Sequence, residues 1–161
     1  MNNLVETQTV LEELGDVFSQ AAIESVNGFF GKNATIHLPW QVVEQLQANF
    51  DMILTMGSSN DRYSALTVAG IQHDSLSAFI EQDEVSQEEA LDILGEFVNT
   101  YIAILADQQQ FCNQFGTLTQ AVPILYTDGQ SLLPFIWGVQ GYVYVDKHWI
   151  YLGYTVRENT D

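Results

Sequence analysis

The stretch that opens Ser86-Gln87-Glu88-Glu89 constrains the fold more than any other part of this sequence. It is a capping box, in which the serine side chain accepts from the third helical amide while Glu89 reaches back to the cap. It predicts a helix running to about Ala106. At about 100° per residue, Ala90, Leu91, Leu94, Phe97, Val98, Tyr101 and Leu105 gather on one broad face. Glu88, Asp92, Glu96, Asn99 and Ala103 fall within an arc of roughly 60° on the opposite side. Glu96 and Asn99 therefore point to solvent side by side, at i and i+3, from a helix clamped by its apolar face.

An earlier helix is expected from Val10 to Phe30, with Leu11, Leu14, Phe18, Ala22, Val26 and Phe29 at three- and four-residue spacing and Gly28 and Gly31 marking its end. Gln20, Glu24, Asn27 and Gly31 repeat the polar line of the later helix. Glu24 and Glu96 are separated by the same interval as Asn27 and Asn99, which suggests an internal repeat of a helix followed by strands. In the mixed stretch Asn33 to Asn49, Ala34 to Leu38 reads as extended and Val42 to Leu46 as a short helix. Asp51 to Met56, Tyr63 to Ile71 and Leu76 to Glu81 read as strands, separated by turn clusters at Gly57 to Asp61 and His73 to Ser75. Asp107 to Gly116 reads as a polar loop. Leu118 to Tyr126 and Leu132 to Val139 read as a hairpin about Thr127-Asp128-Gly129-Gln130, and Tyr142 to Val145 and Trp149 to Val156 as strands about Asp146-Lys147-His148. The expected class is α+β, with two long helices packed on antiparallel sheet. No low-complexity linker interrupts the chain, so residues 1–161 are expected to form a single domain.

Charge sets the next bound. Four basic residues, Lys32, Arg62, Lys147 and Arg157, face 21 acidic ones in 161 residues, a formal net charge of −17. Nucleic acid and anionic membrane surfaces repel such a chain, and four scattered cations make a poor clamp for a phosphorylated metabolite. At 47% hydrophobic and 12% aromatic the sequence is too apolar for a disordered tail, yet no run approaches the length of a membrane span. Met1 to Thr7 has neither a basic n-region nor an apolar h-region, so no signal peptide is expected. Cys112 is alone and forms no internal disulfide, which fits the cytoplasm.

Most familiar chemistries find no footing. His37, His73 and His148 are scattered, without metal-ligand spacing. Cys112 has no local histidine, and the phosphate-loop, dinucleotide and nucleophile-elbow signatures are missing. Trp137, Tyr142, Tyr144, Trp149, Tyr151 and Tyr154 alternate as sheet-face packing does, and part of that face is a candidate dimer or partner surface. Polar residues on the outer face of a helix are also expected of any amphipathic helix, and Glu-x-x-Asn recurs by chance. Asn is nevertheless an unusual mid-helix choice, because its side chain competes for backbone hydrogen bonds.

The stretch Asp92-Ile93-Leu94-Gly95-Glu96-Phe97-Val98-Asn99 resembles the signature of the CheC/CheX/FliY family of chemotaxis phosphatases: an acidic residue or Ser, three residues, Glu, two residues, Asn. Glu24-Ser25-Val26-Asn27, with Gly31 and Asn33-Ala34-Thr35, resembles the companion motif of the two-site members. The order of elements from about residue 10 to 157 is similar to the family, and Leu118 to Pro123 is similar to the strand after the second helix in CheX-like proteins. Ala103 stands where the family commonly has Gly, Gln20 replaces the acidic residue or Ser of the first motif, and Lys32 is an extra residue between Gly31 and Asn33. The CheX-like subgroup, with one working site, is the better match.

The resemblance implies hydrolysis of the aspartyl phosphate of a CheY-like response regulator. Such a partner brings its own divalent metal and a Lys beside the phosphoryl group, so the phosphatase needs no cofactor of its own and no basic clamp. The resemblance gives Asn99 the role of orienting the attacking water, Glu96 a salt bridge to the regulator's Lys, and Asp92 a contact at the site edge or with the partner. Glu24 and Asn27 form the second candidate pair. It also implies a homodimer joined through its sheets. The alternatives are a non-catalytic module of the same fold that binds a regulator or motor component, and a small-ligand domain with a closed apolar pocket between helix and sheet.

Overall fold

In the computed structural model the capping box is formed: Glu89 N–H donates to Ser86 Oγ (3.1 Å), and Ser86 N–H donates to Glu89 Oε1 (3.3 Å). The structure describes residues 3–46, 49–127 and 137–160. Its helices are α1 (Asn3–Glu13), α2 (Gly15–Phe30), α3 (His73–Ile80), α4 (Gln87–Asp107) and α5 (Gln109–Phe115). The strands are β1 (Gln41–Val43), β2 (Met52–Ser59), β3 (Tyr63–Ile71), β4 (Thr119–Gln120), β5 (Ile124–Tyr126), β6 (Gly138–Val145) and β7 (His148–Glu158). The class is α+β, as expected.

The sheet is antiparallel throughout, in the order β1-β6-β7-β3-β2, with β4 and β5 both pairing along the outer edge of β2. Alternation along each strand sorts the side chains onto two faces. Met52, Leu54, Met56, Ala69, Ile71, Val139, Val143, Ile150, Leu152 and Tyr154 join the main core with Phe18, Ala22 and Val26 of α2 and Leu94, Phe97, Val98 and Tyr101 of α4. Ile53, Val68 and Tyr151 face the other way, where Leu46 and Phe50 from the β1–β2 connection cover them. The two long helices pack together through Phe29 and Phe30 of α2 against Phe97 of α4, at ring separations of 5.9 and 5.2 Å. Full burial of a side chain such as Leu94 or Phe97 is worth about 1.5–3 kcal/mol, so α4 is held by its inner face.

Five expectations need correction. Helical structure begins before Val10 and is interrupted at Leu14, where a Cβ on Gly15 would come within 3.0 Å of the Trp40 carbonyl oxygen. Val42 to Leu46 contains no helix; Gln41–Val43 is a strand, because β6 offers it an antiparallel partner. Leu76 to Glu81 is not a strand but most of α3, whose Leu76 and Phe79 are buried three residues apart. The polar loop after α4 contains α5, anchored by Phe111 and Phe115 at helical spacing. Nor do the segments ending at Tyr126 and Val139 form a hairpin: β5 lies on β2 while β6 lies between β1 and β7. The turn residues 128–130 and the segment 131–136 lie outside the described residues.

The turn after β2 sits later than expected. β2 continues through Gly57 to Ser59, and Asn60 closes the turn by accepting from the N–H groups of Arg62 (2.9 Å) and Tyr63 (2.7 Å). No helix among the described residues is long and apolar enough to cross a membrane.

Candidate functional site

The helix wheel holds in three dimensions. Ala90, Leu94, Phe97, Val98, Tyr101 and Leu105 are buried and Leu91 is half-buried, while Glu88, Asp92, Glu96, Asn99 and Ala103 are all exposed. α4 thus presents Glu96 and Asn99 one turn apart from a backbone fixed by the capping box at one end and by core packing along its length. Thr100 Oγ1 donates to the Glu96 carbonyl oxygen (2.9 Å), keeping the hydroxyl next to Asn99 on the helix backbone. Among the described residues the carboxamide of Asn99 and the carboxylates of Glu96 and Asp92 have no hydrogen-bond or ion-pair partner. They are available to a ligand. Tyr101, two residues on, is not: its phenol is fully buried, and desolvation holds its pKa well above the ordinary value, with nearby Tyr154 adding to the effect.

The other pair is placed differently. Glu24 is exposed on α2, but Asn27 is half-buried and its Oδ1 accepts the Ala34 N–H at 2.7 Å. That bond closes the chain back on the helix end after Gly31 adopts the left-handed conformation (φ 66°) that favours glycine. Thr35 then exchanges backbone hydrogen bonds with Tyr144 of β6, at 2.9 and 2.8 Å. The stretch Gly31 to Thr35, singled out as part of a companion motif, is a structural staple in which Asn27 is the clasp.

Beside α4 runs a segment that sequence reasoning missed as part of the site. Between β4 and β5 the chain leaves the ladder: Ala121 N–H donates to Gly57 O (2.8 Å), and Pro123, which has no N–H to give, turns toward the helix. A Cβ on Gly95 would lie 3.4 Å from Pro123 Cγ, so the proline ring rests where α4 carries no side chain, one residue before Glu96 and one turn before Asn99. A proline within a strand-like run was the available signal.

The remaining polar candidates are dispersed. His37 stacks on Tyr144 (centroids 3.7 Å, planes 4° apart), His73 Nε2 lies 3.3 Å from the Val85 carbonyl, and His148 Nδ1 lies 2.9 Å from Ser75 Oγ. Among the described residues no three His, Cys, Asp or Glu side chains are grouped to hold a metal ion. A concavity of about 460 Å³ lies along Ser64, Leu66, Thr155 and Arg157 beside Trp137, open to solvent rather than enclosed between helices and sheet.

No protein-family model matches the sequence, and no curated protein sequence does. Solved structures do. A putative chemotaxis protein from Desulfovibrio vulgaris Hildenborough aligns with a TM-score of 0.72 at 11% identity, over 90% of this chain and 97% of its own. The chemotaxis protein CheX from Vibrio vulnificus aligns with a TM-score of 0.72 at 10% identity, over 90% of this chain and 99% of its own. The middle domain of FliM from H. pylori is more distant, with a TM-score of 0.57 at 8% identity over 92% of this chain and 90% of its own. At these identities the likeness is one of fold, and it is the fold that the α4 motif implied.

Proposed function

We propose that this chain, which carries the fold of CheX and CheC-like chemotaxis proteins, acts in chemotaxis by accelerating hydrolysis of the aspartyl phosphate of a CheY-like response regulator. The observation that supports this most is the placement of Glu96 and Asn99: exposed, adjacent on α4, and unengaged by the rest of the described chain. Phosphoryl transfer of this kind asks mainly for positioning. A carboxamide offers an acceptor and two donors on one planar group, so Asn99 can hold a water and aim it at phosphorus. On a helix packed as tightly as α4 the entropic cost of that aim is met during folding.

Glu96 is the harder residue to place beside a phosphoryl group. Two like charges about 4 Å apart repel by roughly 4 kcal/mol in a partly shielded site. Glu96 fits there only if a cation comes between, and the regulator's Lys is that cation in the proposed complex. The divalent metal also belongs to the regulator, which reconciles phosphate chemistry with a formal charge of −17. Asp92, one turn before Glu96, faces the rim of the same contact. Asn27, engaged with Ala34, leaves α4 as the single working site, the CheX-like arrangement; a homodimer joined through the sheets belongs to the same reading.

The test is release of inorganic phosphate from phosphorylated receiver domains of the same genome, with and without the protein. Acceleration for at least one receiver is expected. A second reading, a non-catalytic module that binds a regulator or motor component, is favoured by the likeness to the FliM middle domain, a protein also solved in a FliG–FliM complex. Binding without acceleration would select it.

A further inference from the structure

A side chain that aims a water must itself be aimed. Asn99 is exposed on α4, and among the described residues no hydrogen bond or ion pair holds its carboxamide. The neighbouring hydroxyl gives no help, since Thr100 Oγ1 is engaged with the Glu96 carbonyl oxygen. An exposed asparagine without such a partner exchanges among its staggered rotamers. Catalysis by positioning loses the fraction of time that the group spends in the wrong one. The restraint on Asn99 therefore has to be something other than a hydrogen bond.

Helix geometry supplies a steric one. Each Cα–Cβ bond tilts toward the helix N-terminus, so the Asn99 side chain covers the turn before its own Cα. That turn has a bare position. Asp92, Gly95 and Asn99 stand at i, i+3 and i+7 on one stripe of α4, and the middle one carries no side chain. Pro123 fills the gap: a Cβ on Gly95 would lie 3.4 Å from its Cγ and 3.9 Å from its Cβ. The ring is fixed from the sheet side. Ala121 N–H donates to the Gly57 carbonyl oxygen (2.8 Å) just before it, and Ile124 and Leu125 pair with Thr55 and Leu54 of β2 just after it. Leu125 packs against the main core, and further along Gln87 Nε2 of α4 donates to Thr127 Oγ1 (3.2 Å). Taking the phosphatase reading as its premise, we propose that Pro123 is a positioning residue. Its ring stands over Gly95 as a wall that limits the rotamers of Asn99 and keeps the carboxamide aimed at the attacking water. Proline suits the place, because the ring is stiff and brings no N–H to compete for the carboxamide oxygen.

The full chain is compared with P123A, which removes the outer atoms of the ring, and with P123V, which restores a branched apolar side chain. P123S is the second replacement should P123A fold poorly. Phosphate release from a phosphorylated CheY-type receiver domain reads kcat and KM, and three-bond couplings of Asn99 read its χ1 populations. One χ1 rotamer is expected to dominate in the parent. In P123A the couplings should move toward a rotamer average. There kcat should fall about three- to tenfold, the scale of releasing a side chain into its other staggered wells. KM should stay within about twofold, and P123V should recover most of the lost kcat and of the rotamer preference. A merely structural contact would leave couplings and kcat at parental values in every folded variant, and that result overturns the proposal. A parent whose Asn99 already averages among rotamers overturns it too, as does a fall in kcat with unmoved couplings. A rise in KM at constant kcat would overturn it and make Pro123 a contact for the regulator instead. A parent that releases no phosphate from any receiver, yet shows one dominant rotamer that P123A releases, would sink the phosphatase reading and uphold the wall.

Discussion

α2 and α4 carry the same Glu-x-x-Asn spacing on similar long helices that pack side by side, yet the two asparagines have different occupations. Asn27 lies three residues from the end of α2 and holds the Ala34 amide, half-buried under the returning chain. Asn99 lies in the middle of α4, exposed, and among the described residues no such returning segment bonds to it. The helix ends also differ. α4 begins with a complete capping box, whereas Leu14 offers α2 no side-chain cap at the interruption after α1. The lesson is that equal spacing does not make equal surroundings: one carboxamide holds a loop, and the other has no partner among the described residues.

The largest expected effect tests that division directly. Asn99→Ala should lower receiver dephosphorylation by about 100-fold or more, the scale of a lost positioning group, while receiver affinity stays near the parental value. The same change should raise stability by about 0.5 kcal/mol, because alanine is the better mid-helix residue. A variant that dephosphorylates at the parental rate would remove α4 as the site. Glu96→Ala should weaken both binding and turnover, since the partner's Lys loses its counter-charge at a cost of about 2–5 kcal/mol if that pair is buried in the complex; unchanged affinity would show that Glu96 meets no cation.

Asn27→Ala should give the opposite signature to Asn99→Ala. Activity should change less than about twofold, while stability in urea falls by about 1 kcal/mol as the Ala34 amide loses its acceptor. Loss of activity comparable to that of Asn99→Ala would make this a two-site protein. Ser86→Ala should cost about 1 kcal/mol of stability through the lost cap. Glu24→Ala should be the quietest, within about 0.5 kcal/mol and with parental kinetics, as for an exposed residue with no partner among the described residues.

The elements legible in the sequence are those whose signals are local. The Ser86 cap, the inner face of α4, the strand Tyr63–Ile71 and the turn at Asp146 and Lys147 are specified by neighbours within a few residues. α3 misled although Leu76, Phe79 and Ile80 stand at the helical i, i+3 and i+4, because a short apolar run between turn signals also reads as a buried strand. β1 misled because its identity comes from β6, far along the chain. α5 was legible and overlooked: Phe111 and Phe115 stand four apart inside a polar stretch. The outward placement of Glu96 and Asn99 followed from the wheel. That Asn27 is engaged did not, because the bond depends on how the chain returns after Gly31. Nor did the contact of Pro123 with Gly95, made between segments that only the folded sheet brings together.

Trp40 and Gly141 show what such dependence costs a lineage. The Trp40 indole fills the space that a Cβ on Gly141 of β6 would need, and it is 5% exposed beneath the interruption between α1 and α2. Neither position can drift alone: a side chain at 141 expels the indole, and a smaller residue at 40 leaves a hollow of ring size against the strand. Change here must pass through a damaged intermediate or come as a paired replacement. Positions of this kind slow divergence locally, however little of the surrounding sequence a shared architecture preserves.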